Sequence, residues 1–435
     1  MYCKYCGTEL EKNKTVCSAC GRDTADKPRR AKKQHKELTA KQLKIIIGSV
    51  AASLVVIAFV VMAICGVFTP KEGVFLKDNY SVSASEAEAN ADKIIATCGD
   101  MKLTNGQLQV FYWMEAYDFI SNNYEYLSYY GLDTGKALSE QESVEEGMTW
   151  EQYFLNEAVY NWQAYASLVQ ASEKEAFELP EDVKAEIAGM REDMEQTAKD
   201  NKMDSVEALL ASEMGPGVSY EDFEYQLTVS STANRFFATK LSALTATMEE
   251  MEGYFTEYED MLKNDLKITK ESGDVVSVRH ILVKPVGGQT IAGETVYPQE
   301  QWDKAENVAK VVLDKWLAGE KTAESFGALA EKHSEDPGSV SKGGLYEGVA
   351  KGQMVEAFDE WIFAEGRKTG DYGLVKTELG WHVMYYVDSE PQWIYTCRSA
   401  VINKKGTEMM ASFMEQYPVE VDFESVTMGE HIIKK

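Results

Sequence analysis

VVSVRHILVK, Val275 to Lys284, and GWH, Gly380 to His382, bracket the segment that decides the fold. The first is rich in β-branched residues and reads as a strand. Side chains two apart share a strand face, so Val276, Val278 and His280 line one side, with Leu282 next along it. A lone histidine on such a face is ordinarily part of a core. Here a second one, His382, opens another strand-like run, Val383 to Val387. Between them the sequence predicts helices over 299–318 and 322–333, a glycine-rich loop EDPGSVSKGG, and a third helix from Val355 to Ala364. Gly352-Gln353-Met354 precedes that last helix. The order is β-α-α-β-α-β, a small α+β domain over 274–388.

The motifs RHIL at 279–282, SEDPGS at 334–339, KGG at 342–344, GQM-V-x-x-F at 352–358 and KTELGWH at 376–382 resemble the parvulin family of peptidyl-prolyl isomerases. Five motifs in family order make the resemblance specific, and it covers 274–388. The resemblance implies roles for individual residues. His280 and His382 match the paired histidines behind the substrate proline. Thr377 matches the hydroxyl bonded to them, and Asp336 stands where parvulins place a Cys or Asp beside the amide. Met354 and Phe358 match the apolar floor under the pyrrolidine ring, with Gln353 at the rim. Many parvulins carry GGDLG-aromatic-F where this chain has Gly343 to Val349, so Tyr346 and Val349 replace a leucine and a phenylalanine of the pocket wall. The loop 285–298 is longer than usual. No Arg/Lys cluster follows the first strand, which argues against phosphate-directed specificity.

The layout around this domain resembles extracytoplasmic foldases of the PrsA and SurA type: a helical chaperone domain with a parvulin domain inserted. Residues 93–270 read as mostly helical. Thr149 to Gln152 forms a capping box ahead of Trp150, Phe154, Ala158, Trp162, Tyr165 and Val169, spaced three or four apart. Pro180, Tyr220 and Glu249 open further helices. The aromatic and methionine content suits either ordinary core or a peptide-binding groove. Residues 389–435 hold a helix near Lys404 to Gln416 and a strand near Val419 to Phe423. A tail without its own core is expected to pack on the helical domain. Cys98 and Cys397 are read as buried thiols, with a disulfide between them as the alternative.

Residues 45–68, IIIGSVAASLVVIAFVVMAICGVF, carry no charge. As a helix they would span about 36 Å, against a hydrocarbon core of about 30 Å. They read as one transmembrane helix, an uncleaved anchor; the residues before Cys65 match a lipobox poorly. Lysines and arginines crowd the preceding linker, 22–44, which places the N-terminus in the cytoplasm and the rest outside, after a polar spacer at 69–92. Cys3, Cys6, Cys17 and Cys20 form a doubled CxxC pattern in residues 1–21, each pair followed by glycine. Four thiolates at this spacing predict a closed structural Zn²⁺ ribbon in place of a redox pair or disulfides. Its cytoplasmic partner is not legible.

The 435-residue chain carries a net charge of −27, unevenly spread. Residues 1–68 hold 12 Lys/Arg against 5 Asp/Glu, and the remainder 32 against 66. An acidic body of this size repels nucleic acid. The expected function is therefore a membrane-anchored prolyl isomerase and foldase acting on unfolded or nascent secreted polypeptides that contain X–Pro bonds. The competing expectation is a holdase or scaffold that grips extended peptide with weak catalysis.

Overall fold

The computed structural model describes residues 75, 77, 79–291 and 294–433. The expected zinc ribbon, basic linker and transmembrane helix lie outside the described residues. Among the described residues no helix is long and apolar enough to cross a membrane. The chain divides into two compact units: residues 239–411, and the described residues before and after them.

The first unit begins inside the stretch expected as a spacer. Phe75 and Tyr80 are buried, and β1 (Ser81–Val82) and α1 (Ala84–Asn90) follow. An antiparallel pair, β2 (Ile94–Cys98) and β3 (Met101–Thr104), leads into α2 (Asn105–Asn122). Thr104 caps α2 and Thr149 caps α3 (Trp150–Lys174), each through a complete capping box. The helices α4 (Glu181–Asp200), α5 (Val206–Met214) and α6 (Tyr220–Ser242) complete the helical part; α6 runs past the division between the units at residue 238. The chain's tail joins this unit: β10 (Val419–Val421) pairs with β2, and β11 (Met428–Gly429) lies parallel to β1. Two buried amides on α2 hold the tail. Asn105 accepts from the Thr427 N–H at 3.0 Å, and Gln109 accepts from the Gly429 N–H at 2.8 Å. Burying these amides is tolerable because each is satisfied by main chain.

The second unit is wider than the expected boundaries at 270 and 389. The single helix expected over 249–266 is two, α7 (Met248–Glu257) and α8 (Glu259–Asn264), separated by Tyr258 at φ −112°. Met251, Phe255, Leu262 and Ile268 bury themselves with Trp393 and Cys397, which explains why these helices belong with this unit. Trp393 and Cys397 lie on α12 (Gln392–Gln416), which begins earlier than its sequence pattern suggests. Cys98 and Cys397 are both free and buried.

The sheet of this unit has the order β7 (Leu345–Val349), β4 (Asp274–Val283), β9 (Gly380–Pro391), β8 (Tyr372–Thr377), all antiparallel neighbours. The long loop after β4 contains a short hairpin, β5 (Gln289–Ile291) with β6 (Glu294–Val296). The helices α9 (Gln299–Leu317) and α10 (Ala323–His333) cover one sheet face, packing on Ile281, Val283, Val383 and Tyr385. The other face carries Val276, Val278, Met384 and Tyr386 under α11 (Glu356–Ile362). The period of two along β4 puts His280 on this second face.

Candidate active site

His280 on β4 faces Met384 on β9, and Leu282 faces His382, so the two histidines are diagonal neighbours on one face of the sheet. Their Nδ1 atoms are 3.0 Å apart and both side chains are buried. His382 Nε2 lies 2.8 Å from Thr377 Oγ1, and the Leu379 N–H donates to that hydroxyl oxygen at 3.1 Å. At the other end, His280 Nε2 lies 2.9 Å from Asp336 Oδ2. The same carboxylate oxygen accepts from the Ser339 hydroxyl and, at 3.0 Å, from Tyr346.

The loop that carries Asp336 is pinned to β4 by main chain. The Glu335 N–H donates to the Leu282 carbonyl and the His280 N–H to the Gly344 carbonyl, both at 2.8 Å. The Arg279 guanidinium donates to the carbonyls of Lys342 and Gly343, each at 2.8 Å. Gly344 has φ +73°, and a Cβ there would meet the His280 carbonyl oxygen at 2.2 Å. Only glycine allows β4 and this loop to approach so closely.

Electrostatics and connectivity assign the protons. The hydrogen bond from His280, with those from Ser339 and Tyr346, holds the Asp336 carboxyl well below the usual range, so it is a carboxylate. Burial, reinforced by neighbouring His280, lowers His382 to about 3, so it is neutral at physiological pH. An ionised Asp336 requires N–H at His280 Nε2. One proton lies on the Nδ1–Nδ1 contact between the two rings. The result is a hydrogen-bonded chain, Thr377–His382–His280, ending on one fixed negative charge, the Asp336 carboxylate.

Phe358 stands over this chain. Its ring meets His280 and His382 edge-on, at 5.3 and 5.4 Å with 84° between planes in both cases. Met354 is half-buried in the same cluster. Tyr346, placed by sequence in the pocket wall, stacks on His280 at 5.4 Å besides bonding Asp336. Gln353 is exposed, and its carbonyl accepts from the Ala350 N–H at 2.8 Å, closing the turn before α11. The structure thus gathers His280, His382, Thr377, Asp336, Tyr346 and Phe358, with Met354 in the apolar cluster; Gln353 joins a turn. Sequence reading missed Ser339, fully buried and 3.1 Å from His280 Nε2. Its signal was its place in SEDPGS, three residues after Asp336.

Residues 262–390 match the model of the PPIC-type PPIase domain. They are a peptidyl-prolyl isomerase domain. Over 182 residues the chain is 28% identical to the foldase protein PrsA of Staphylococcus epidermidis, covering 42% of this chain and 45% of that protein. Over 113 residues it is 33% identical to the chaperone SurA of Pseudomonas putida, covering 26% of this chain and 22% of that one. The chain spans less than half the length of either curated relative. The crystal structure of PrsA from Bacillus subtilis matches at 19% identity and a TM-score of 0.32, covering 63% of this chain and 91% of that chain.

The reaction of a prolyl isomerase domain forms and breaks no bond and needs no cofactor. Rotation about X–Pro crosses a barrier of about 18–20 kcal/mol set by amide conjugation. The site must favour the twisted amide over both planar forms. Apolar side chains beside a buried imidazole pair suit that task, because a dry surface disfavours the charge-separated planar amide.

Proposed function

We propose that this chain is a single-pass, membrane-anchored prolyl isomerase and foldase whose body lies outside the membrane and acts on unfolded or nascent secreted polypeptides. The observation that carries this reading is the buried imidazole pair, His280 with His382, strung between Thr377 and Asp336 under Phe358. In this reading His280, His382, Thr377 and Asp336 set the pocket's electrostatics. Met354 and Phe358 grip the proline ring, Tyr346 forms a wall, and Gln353 lies at the rim. The names of the relatives, foldase and chaperone, support action on polypeptide. The uncharged run at 45–68 and the basic residues before it support the anchor and its direction. Cys3, Cys6, Cys17 and Cys20 bind a structural Zn²⁺ in the cytoplasmic ribbon.

The test is acceleration of cis–trans exchange in a short proline peptide by the full chain, beside a His280→Ala, His382→Ala double variant. Acceleration lost in the variant supports the reading. The Tyr346 hydroxyl on Asp336, where a leucine is usual, favours a second reading, a holdase. No acceleration with aggregation suppression intact would select it. Zinc is checked by metal analysis of the full chain under reducing conditions; a chain purified without zinc overturns the ribbon.

A further inference from the structure

The exposed apolar side chains of the first unit gather at one end. Of its six large ones among the described residues, four fall between residues 124 and 144: Tyr124, Tyr126, Tyr129 and Val144. The three tyrosines are 76, 61 and 84% exposed. Leu127, Leu132 and Leu138, in the same segment, are buried and anchor it. The buried Gln141 amide fixes its path, accepting from the Asp133 N–H at 2.7 Å and donating to the carbonyls of Asp133 at 3.1 Å and Ala137 at 3.0 Å. The tyrosines are therefore displayed by an ordered segment, and an exposed aromatic cluster of this kind marks a contact surface.

The same end receives the chain from its N-terminal side. Trp150, at the start of α3, donates its N–H to the Gln141 carbonyl at 3.0 Å. Two residues on, the Gln152 side chain donates to the Lys77 carbonyl at 2.9 Å. Rings complete the link. Phe119, near the end of α2, lies 4.9 Å from Trp150 and 5.5 Å from Tyr130, and Tyr130 lies 5.5 Å from Tyr129. Phe75, buried just before Lys77, is seven residues beyond Phe68, where the uncharged run ends. Seven residues reach at most about 25 Å, so this end cannot lie far from whatever holds residues 45–68.

We propose that the end of the first unit bearing Tyr124, Tyr126 and Tyr129 rests in the interfacial layer of the bilayer, with the tyrosine rings among the lipid headgroups. The proposal rests on the reading that residues 45–68 span the membrane, and adds a second contact that orients this unit over it. Tyrosine suits the place, because its ring is apolar and its hydroxyl is wet. Charge sets the lipid preference. Residues 123–149 hold six Asp/Glu against one Lys, so zwitterionic headgroups accept this end and anionic lipid opposes it.

The test reads the depth of Ser128, exposed between the tyrosines, in the full chain held in phosphatidylcholine nanodiscs. A nitroxide is placed at 128 through a keto amino acid. Its collisions with oxygen, which concentrates in lipid, and with a nickel chelate, which stays in water, are measured by electron paramagnetic resonance. Ile94 carries the control label. It is 46% exposed, and its strand partner Thr104 caps the opposite end of α2, a helix about 27 Å long. The oxygen-to-nickel ratio should be several-fold higher at 128 than at 94. It should fall to the control value in a Tyr124→Ser, Tyr126→Ser, Tyr129→Ser variant, and fall when phosphatidylglycerol replaces phosphatidylcholine. Equal ratios at 128 and 94, or a ratio that stays high without the tyrosines, overturns the proposal. A label at 128 that lies in water and is immobilised by an added unfolded polypeptide also overturns it, and makes the tyrosines a client surface. A ratio indifferent to phosphatidylglycerol overturns the lipid preference. A chain that does not stay with the nanodiscs overturns the proposed anchor instead, so the two failures are separable.

Discussion

His280 and His382 face each other through Nδ1 atoms 3.0 Å apart, a distance that requires one proton between them. Neither ring can change its protonation without disturbing the other. The opposite nitrogen of His280 bonds the Asp336 carboxylate.

Replacing one histidine strands the polar groups of the other. His382→Ala leaves His280 Nδ1 and the Thr377 hydroxyl without their partner in a buried place, a cost of about 1–3 kcal/mol. The double variant removes both members of the contact. Its loss of stability should be smaller than the sum of the two single losses, the mark of coupled residues. Urea unfolding of all three variants checks this; strict additivity would refute the shared proton.

Acid should weaken this domain before it affects its surface. His382 has a folded value of about 3 against an ordinary 6.5, so the unfolded chain binds the extra proton between those limits. Stability therefore falls as pH drops from 6.5 toward 3. The Asp336 carboxylate adds in the same direction below its ordinary 3.8, since its folded value is also depressed. Thermal melts across pH 7 to 4 should decline in the wild type. The decline should be shallower in His382→Asn, which no longer titrates. Above pH 6.5 isomerisation should be flat, since neither group changes charge there.

The Tyr346 hydroxyl is one of three donors on Asp336 Oδ2. Tyr346→Phe keeps the ring on His280 and removes only that bond. A hydrogen bond to a charged group contributes about 1.5–3 kcal/mol, so Asp336 should titrate at higher pH in the variant. Activity should fall several-fold through kcat, while KM holds. A large rise in KM with kcat intact would place Tyr346 in substrate binding alone.

Gly344→Ala tests the clip that presents Asp336. The added methyl meets the His280 carbonyl oxygen at 2.2 Å with φ at +73°, and neither main-chain segment can retreat without breaking the bond between them. Such a clash costs about 3 kcal/mol or more. The melting temperature of the isomerase unit should drop sharply, whereas Gly352→Ala, with open space around its Cβ, should cost less.

How legible all this was depended on distance along the chain. The strand bearing His280 and the helix bearing Phe358 could be read from local pattern, because periodicity and β-branching act within a few residues. The pairing of β11 with β1 and of β10 with β2 spans over 300 residues and left no local trace beyond a tail too short for its own core. The expected spacer hid Phe75 and Tyr80, whose burial depends on partners such as Phe423. In the site, His280 and His382 stood out as rare residues in apolar strands. Ser339 did not, since a serine in a glycine-rich loop looks like a turn. Tyr346 was placed in the wall by alignment of motifs, but its bond to Asp336 needed the loop's three-dimensional path.

Glu115, on α2, offers the opposite pH signature from His382. Burial, with the negative charges of Glu157 and Asp118, raises its carboxyl to about 8, against the opposing hydrogen bond from Asn161. The folded unit therefore binds a proton that the unfolded chain has lost between pH 4.5 and 8, and stability conferred by the protonated form declines as pH rises through that window. Glu115→Gln retains the shape and hydrogen-bonding capacity of the protonated side chain without the charge. The variant should melt higher than wild type at pH 8 and nearly equal to it at pH 5. If the two curves keep a constant offset across this range, Glu115 does not titrate there. His382→Asn, in the second unit, should leave this signal unchanged, which would assign it to the first.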